Sequence, residues 1–130
     1  MDVTLVGENF TPGPTANAAI ERLLGFTSEV RDGKAYRFEA DTSENPLAAP
    51  SWKASLDYCE DTESLAELMK FEGRVPYIKP VRKEGKQRTQ RYVCIFDHKG
   101  EVCVTTEFKK ASYALAAAVT FVLEDKSLMT

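Results

Sequence analysis

The sequence predicts one α+β domain, an antiparallel sheet packed with three short-to-medium helices. Three observations carry that prediction. Stripes of apolar residues at helical spacing alternate along the chain with β-rich runs that flank turn pairs. The length, 130 residues, fits a single domain spanning 1–130. Hydrophobic residues at 43% against charged residues at 28% are the balance of a chain that can bury a core.

Residues 1–14 hold Gly7, Pro12, Gly13 and Pro14, which exclude a helix. This N-terminal segment is read as irregular, with VTLV as a short edge strand. Thr15 stands as an N-cap for a short helix carrying Ala16, Ala19, Ile20, Leu23 and Leu24, closed by Gly25. SEVRDGKAYRFEA reads as a hairpin about Asp32-Gly33, with Tyr36 and Phe38 on one face of its second arm. DTSENPLAAPS is a loop, and Trp52 and Leu56 lead out of it as a strand.

DYCEDTESLAELMKFEG, residues 57–73, sets a cysteine among acids and looks chemical. Helix capping explains it better. Asp61 or Thr62 precedes a stripe of Leu65, Leu68, Met69 and Glu72, and Gly73 ends it. Asp61 and Glu63 then sit at the first turn, where the helix dipole favours negative charge by roughly 0.3–1 kcal/mol each. Acids beside Cys59 raise its thiol pKa, the opposite of what a nucleophile needs.

Pro76 and Pro80 confine the next segment to an edge strand or loop. It runs into a basic loop, 79–91, where Lys79, Arg82, Lys83, Lys86, Arg88 and Arg91 face only Glu84. Six bases against one acid give this window +5, so a chain of net charge −3 carries −8 elsewhere. The whole chain repels polyanions while this segment attracts them. These six bases are the candidate site for a phosphate-bearing ligand, a nucleotide or nucleic acid, or an acidic patch on a protein.

RYVCIFDHKGEVCVTTEF reads as the strongest hairpin, its first arm apolar on both faces like a central strand covered on both sides. A turn at His98-Lys99 would put Cys94 opposite Cys103. The pair then reads either as two small buried thiols or as a strained, reducible disulfide. His98, the lone histidine, falls at a turn tip, where a general base lacks a cleft and an orienting partner. Ala111, Ala114, Leu115, Ala118, Val119, Val122 and Leu123 make the last helix. A second stripe, Tyr113, Ala117 and Phe121, means either a helix sandwiched inside the fold or a face that meets another chain as a homodimer interface.

Several classes drop out. No phosphate-binding loop, dinucleotide fingerprint, zincin motif or calcium loop is present. No catalytic residue, cofactor site or metal site is legible, which points away from an enzyme. Three cysteines without a C-x-x-C spacing fit reduced thiols in a cytoplasm. The acidic start lacks a signal peptide's basic region, and the longest apolar run, 113–123, is too short to span a bilayer.

Three stretches in order, ANAAIERLLGF, DYCEDTESLAELM and ALAAAVTFVLED, resemble the small phage-encoded NinX-like proteins and related phage ABA-sandwich domains. Tyr58, Cys59, Asp61, Leu65 and the helix from Ala111 to Asp125 carry the resemblance. It implies a layered α/β/α arrangement and a phage accessory role in the host cytoplasm, and it supplies no catalytic residue. The expected function is binding, as an inhibitor of a host enzyme or defence complex. The alternative is a sponge or receptor for a nucleotide signal through 79–91.

Overall fold

In the computed structural model, which describes residues 3–39, 51–82 and 90–128, the chain alternates strands and helices. The order is β1 (Val3–Val6), α1 (Pro14–Leu23), β2 (Thr27–Arg31), β3 (Lys34–Glu39), β4 (Ser51–Ala54), a 3-10 turn (Tyr58–Glu60), α2 (Thr62–Phe71), β5 (Tyr77–Arg82), β6 (Gln90–His98), β7 (Glu101–Thr105) and α3 (Ala111–Leu128). The class is α+β, with three helices, as expected. The strands divide between two sheets, a four-stranded one in the order β1-β7-β6-β5 and a three-stranded one in the order β2-β3-β4. All pairings are antiparallel except β1 with β7.

Both hairpins turn on a pair of left-handed residues. Asp32 and Gly33 have φ of 51° and 75°, Lys99 and Gly100 of 53° and 79°. Two-residue loops of this hand match the twist of their flanking strands. The second turn therefore sits at Lys99-Gly100, one residue later than the sequence suggested, because glycine takes positive φ without strain. His98 pairs with Glu101, and Cys103 pairs with Phe96 rather than Cys94. The cysteines are diagonal neighbours, both buried and both free thiols.

Helix ends follow local chemistry. Pro14 opens α1 after Gly13, so Thr15 is already helical and caps nothing. Asp61 caps α2, its carboxylate accepting from the Ser64 amide at 3.1 Å. Both helices finish in the same double bond: Gly25 N–H donates to Arg22 O and Phe26 N–H to Glu21 O, while Gly73 N–H donates to Lys70 O and Arg74 N–H to Met69 O. Each glycine supplies the left-handed residue that this closure requires.

α3 is sandwiched. It packs on the inward face of the four-stranded sheet and, on its other side, against α1 and α2. α1 in turn packs on β2 and β3. The layers thus run four-stranded sheet, α3, α1, three-stranded sheet. This explains why α3 is apolar nearly all round: Ala114, Leu115, Ala116, Ala117, Ala118, Val119, Val122 and Leu123 are all buried. Its alanines let neighbouring backbone come close, and a Cβ placed on Gly7 would lie 3.2 Å from the Ala117 Cβ.

The two sheets receive their helices differently. Under α3 the four-stranded sheet presents Val6, Cys94, Phe96 and Cys103. Under α1 the three-stranded sheet presents charge: fully buried Glu21 meets Arg37 at 3.4 Å and accepts from the Ser28 hydroxyl at 3.3 Å. Burial and the neighbouring Glu21 carboxylate raise the Tyr58 pKa beside this pair. On the opposite face of that sheet, Tyr36 and Phe38 lie together as expected, with Phe38 5.2 Å from the Trp52 ring.

Candidate functional site

The predicted basic group is only partly within the described residues. Lys79 and Arg82 belong to β5 and Arg91 to β6, so they are strand residues rather than loop residues. Lys83, Lys86 and Arg88 fall outside the described residues, as does the Arg82 side chain. Lys79 pairs with Val93 and Arg91 with Val81, which puts Lys79 and Arg91 on one face of the four-stranded sheet.

The second stripe of α3 does not form one exposed surface. Tyr113, at the start of α3, donates its hydroxyl to Glu60 at 2.8 Å, beside a Lys110–Glu60 ion pair at 2.9 Å. Those bonds, first from Lys110 and then from Tyr113, hold the Glu60 carboxyl below its ordinary pKa. Ala117 is buried against Gly7 and is closed to any partner. Phe121 is half-buried, its ring 5.4 Å from His98 and 6.1 Å from Phe96.

A different surface emerges on the outward face of the four-stranded sheet. Strand register aligns Leu5, Val104, Ile95 and Tyr77 in one row across all four strands. Val3, Val102 and Asp97 form the row beside it, and no described helix lies over either. Leu5 is 51% exposed, Val3 56% and Tyr77 62%. A solvated antiparallel sheet ordinarily shows polar residues on this side. The apolar row departs from that pattern. β6 is central, as its sequence suggested, but only its inward face is covered by a helix.

The same sheet has two edges. On β5, Tyr92 of the neighbouring strand exchanges both its backbone bonds with Phe108 on the far side, at 2.7 and 2.9 Å. Its partner Pro80 therefore turns its backbone nitrogen outward, where a strand edge lacking N–H cannot be extended. On β1, Val6 O accepts from Thr106 N at 3.1 Å, so Val6 faces β7. By the alternation of strand backbone, the N–H and C=O of Val3 and Leu5 face away from β7. A cleft of about 800 Å³ adjoins this strand, lined by residues of β1, the connection 7–13, the start of α1 and the face of α3 bearing Ala117, Thr120, Phe121 and Glu124.

The chemically suggestive residues fill structural posts. His98, expected at a solvated turn tip, is buried on the inward face. Its Nδ1 lies 2.8 Å from an Arg74 guanidinium nitrogen and its Nε2 2.7 Å from Asp125 Oδ2. Arginine only donates, so Nδ1 accepts and the ring proton sits on Nε2, donated to Asp125. Lys99 joins Asp125 at 2.7 Å, and the two donors, Lys99 first, hold the carboxyl below its ordinary value. The cluster clamps the β6–β7 turn and the chain after α2 to α3. Burial, then Asp57 and Glu60, raises the Cys59 thiol pKa, and burial pushes Cys94 to about 12. None of these thiols is activated. No group of potential metal ligands forms among the described residues, and no helix there is long and apolar enough to cross a membrane.

Sequence reasoning missed the outward apolar row and the open edge. The signal was present in the alternation Val3, Leu5 and Val102, Val104, but only strand pairing shows that these residues share a face. Compared with protein-family models, with curated proteins and with solved structures, the chain matches none of them.

Proposed function

We propose that this chain acts by binding a protein partner through the outward face of its four-stranded sheet. The observation that carries the reading is the row Leu5–Val104–Ile95–Tyr77, apolar residues held side by side on a face that no described helix covers. Lys79 and Arg91 flank that row on its β5–β6 side. A partner with an apolar centre beside an acidic patch complements both features. The resemblance to NinX-like phage proteins makes the partner a host protein and the role inhibition of a host enzyme or defence complex.

The experiment is affinity capture from infected host cells with three versions of the chain. The wild type is compared with the double variant Leu5→Asp/Tyr77→Asp, which charges both ends of the row, and with Phe71→Asp. Phe71 is 85% exposed on α2, away from the row, and serves as the control. Expected is a partner retained by the wild type and by Phe71→Asp but lost to the double variant, with all three folded by circular dichroism. Capture of the same proteins by all three versions overturns the reading.

A further inference from the structure

The outward row says where a partner sits, and the β1 edge says what part of it is held. Val3 and Leu5 direct one N–H and one C=O each away from β7, and among the described residues β7 is the only strand that β1 pairs with. Unpaired strand backbone is a template for another strand. Pro80 closes the opposite edge of the same sheet, whereas Val3–Val6 contains no proline and no inward-pointing charge. The cleft beside β1 gives such a strand somewhere to put its side chains. Ala19 and Phe121 contribute apolar surface. Of the residues that line it, the two charged ones are both acids, Glu8 and Glu124, and both are exposed.

We propose that β1 captures an extended, cation-bearing segment of the partner as a fifth strand of the four-stranded sheet. This rests on the reading of the chain as a protein-binding domain. Main-chain bonds to Val3 and Leu5 hold the segment. Alternate side chains enter the cleft, apolar ones over Ala19 and Phe121 and a Lys or Arg toward Glu8 and Glu124. In this mode of recognition the backbone supplies affinity and the pockets for alternate side chains supply specificity.

The probe is a displayed library of unstructured peptides selected on the intact chain. Selected peptides are expected to alternate apolar and polar residues and to carry a base. Leu5→Pro removes the outward N–H, and the leucine side chain with it, but no ladder donor, so the β1–β7 ladder persists, and it should weaken the selected peptides by about tenfold or more. Glu8→Gln/Glu124→Gln should weaken them several-fold and flatten their salt dependence. Phe71→Asp, on α2 away from the row and the cleft, should leave them unchanged. In the wild-type chain, exchange of the Leu5 amide should slow when peptide binds, a readout that survives if Leu5→Pro fails to fold.

Failure to select any peptide, or peptides that bind without protecting the Leu5 amide, overturns strand capture. Should that happen while the charged-row variant still loses its captured partner, the binding reading stands and only the strand falls. If the charged-row variant also keeps its partner, both fall.

Discussion

The two outer strands of the four-stranded sheet meet solvent under opposite rules. β5 carries Pro80 with its nitrogen turned outward, and Pro76 just ahead of it in the chain. β1 has neither, and its open backbone runs beside a cleft. A strand edge is a hazard for aggregation, and proteins blunt it with proline, charge or a covering element. Here one edge is blunted and the other is not. The contrast separates an edge closed to further strands from one open to them, and the open edge adjoins the exposed apolar row through Leu5. The row thus reaches both edges, ending at Leu5 on the open one and at Tyr77 on the protected one, and only the open edge can add a strand beside it.

The largest effect that tests this comparison is a proline scan of β1. The Thr4 N–H faces β7 by alternation from Leu5, so Thr4→Pro deletes a ladder bond and leaves its acceptor unpaired, at a cost of about 1–3 kcal/mol. Leu5→Pro, one residue on, should cost roughly 1 kcal/mol or less, because its N–H bonds nothing in the sheet. Urea unfolding of both variants measures the gap. Equal losses would show that the Leu5 backbone is not open, and the contrast between edges would collapse.

A second effect separates the edges from the clamp that serves them both. Asp125 is held below its ordinary carboxyl value by Lys99 and His98. A carboxyl with a lowered folded pKa stabilises the fold above its unfolded value, near 3.9, and that contribution is lost as pH falls through the folded value. Asp125→Asn should therefore be less stable than the wild type at neutral pH, with the gap closing as pH drops below about 4. Peptide binding at β1 should be unaltered at neutral pH. A gap independent of pH would show that the carboxylate charge does not hold the turn.

The smallest change in stability carries the sharpest test of edge protection. Pro80→Val restores an N–H on the exposed side of β5 and should shift stability by less than about 1 kcal/mol. It should nevertheless raise self-association, seen as scattering that grows with protein concentration. Unchanged scattering would mean that Pro80 protects nothing.

Local signals made much of this fold legible. Gly25 and Gly73 end helices wherever a left-handed residue is needed, Asp61 caps α2, and Asp32-Gly33 sets a hairpin. Each depends on a few neighbouring residues, so each can be read in order along the chain. The double stripe of α3 likewise announced a helix buried on more than one side. The error in the second turn was local as well: His98-Lys99 and Lys99-Gly100 differ by one residue, and that shift moved Cys103 from Cys94 to Phe96. The same shift helped hide His98, which reads as a turn tip in sequence and stands buried at the end of β6 in the fold.

Local sequence was enough for the α+β class, the three helices, the glycine ends of α1 and α2, the first hairpin and the inert setting of Cys59, because turn chemistry, capping and periodicity act over a few residues. Tertiary structure alone decided the division into two sheets, the Arg74–His98–Asp125 clamp, the parallel pairing of β1 with β7 and the apolar row across four strands. Those features join residues distant in the chain, from 24 and 27 positions apart in the clamp to a hundred for Val6 with Thr106. Which strand lies beside which is settled by the global packing of α3, and no local pattern encodes it.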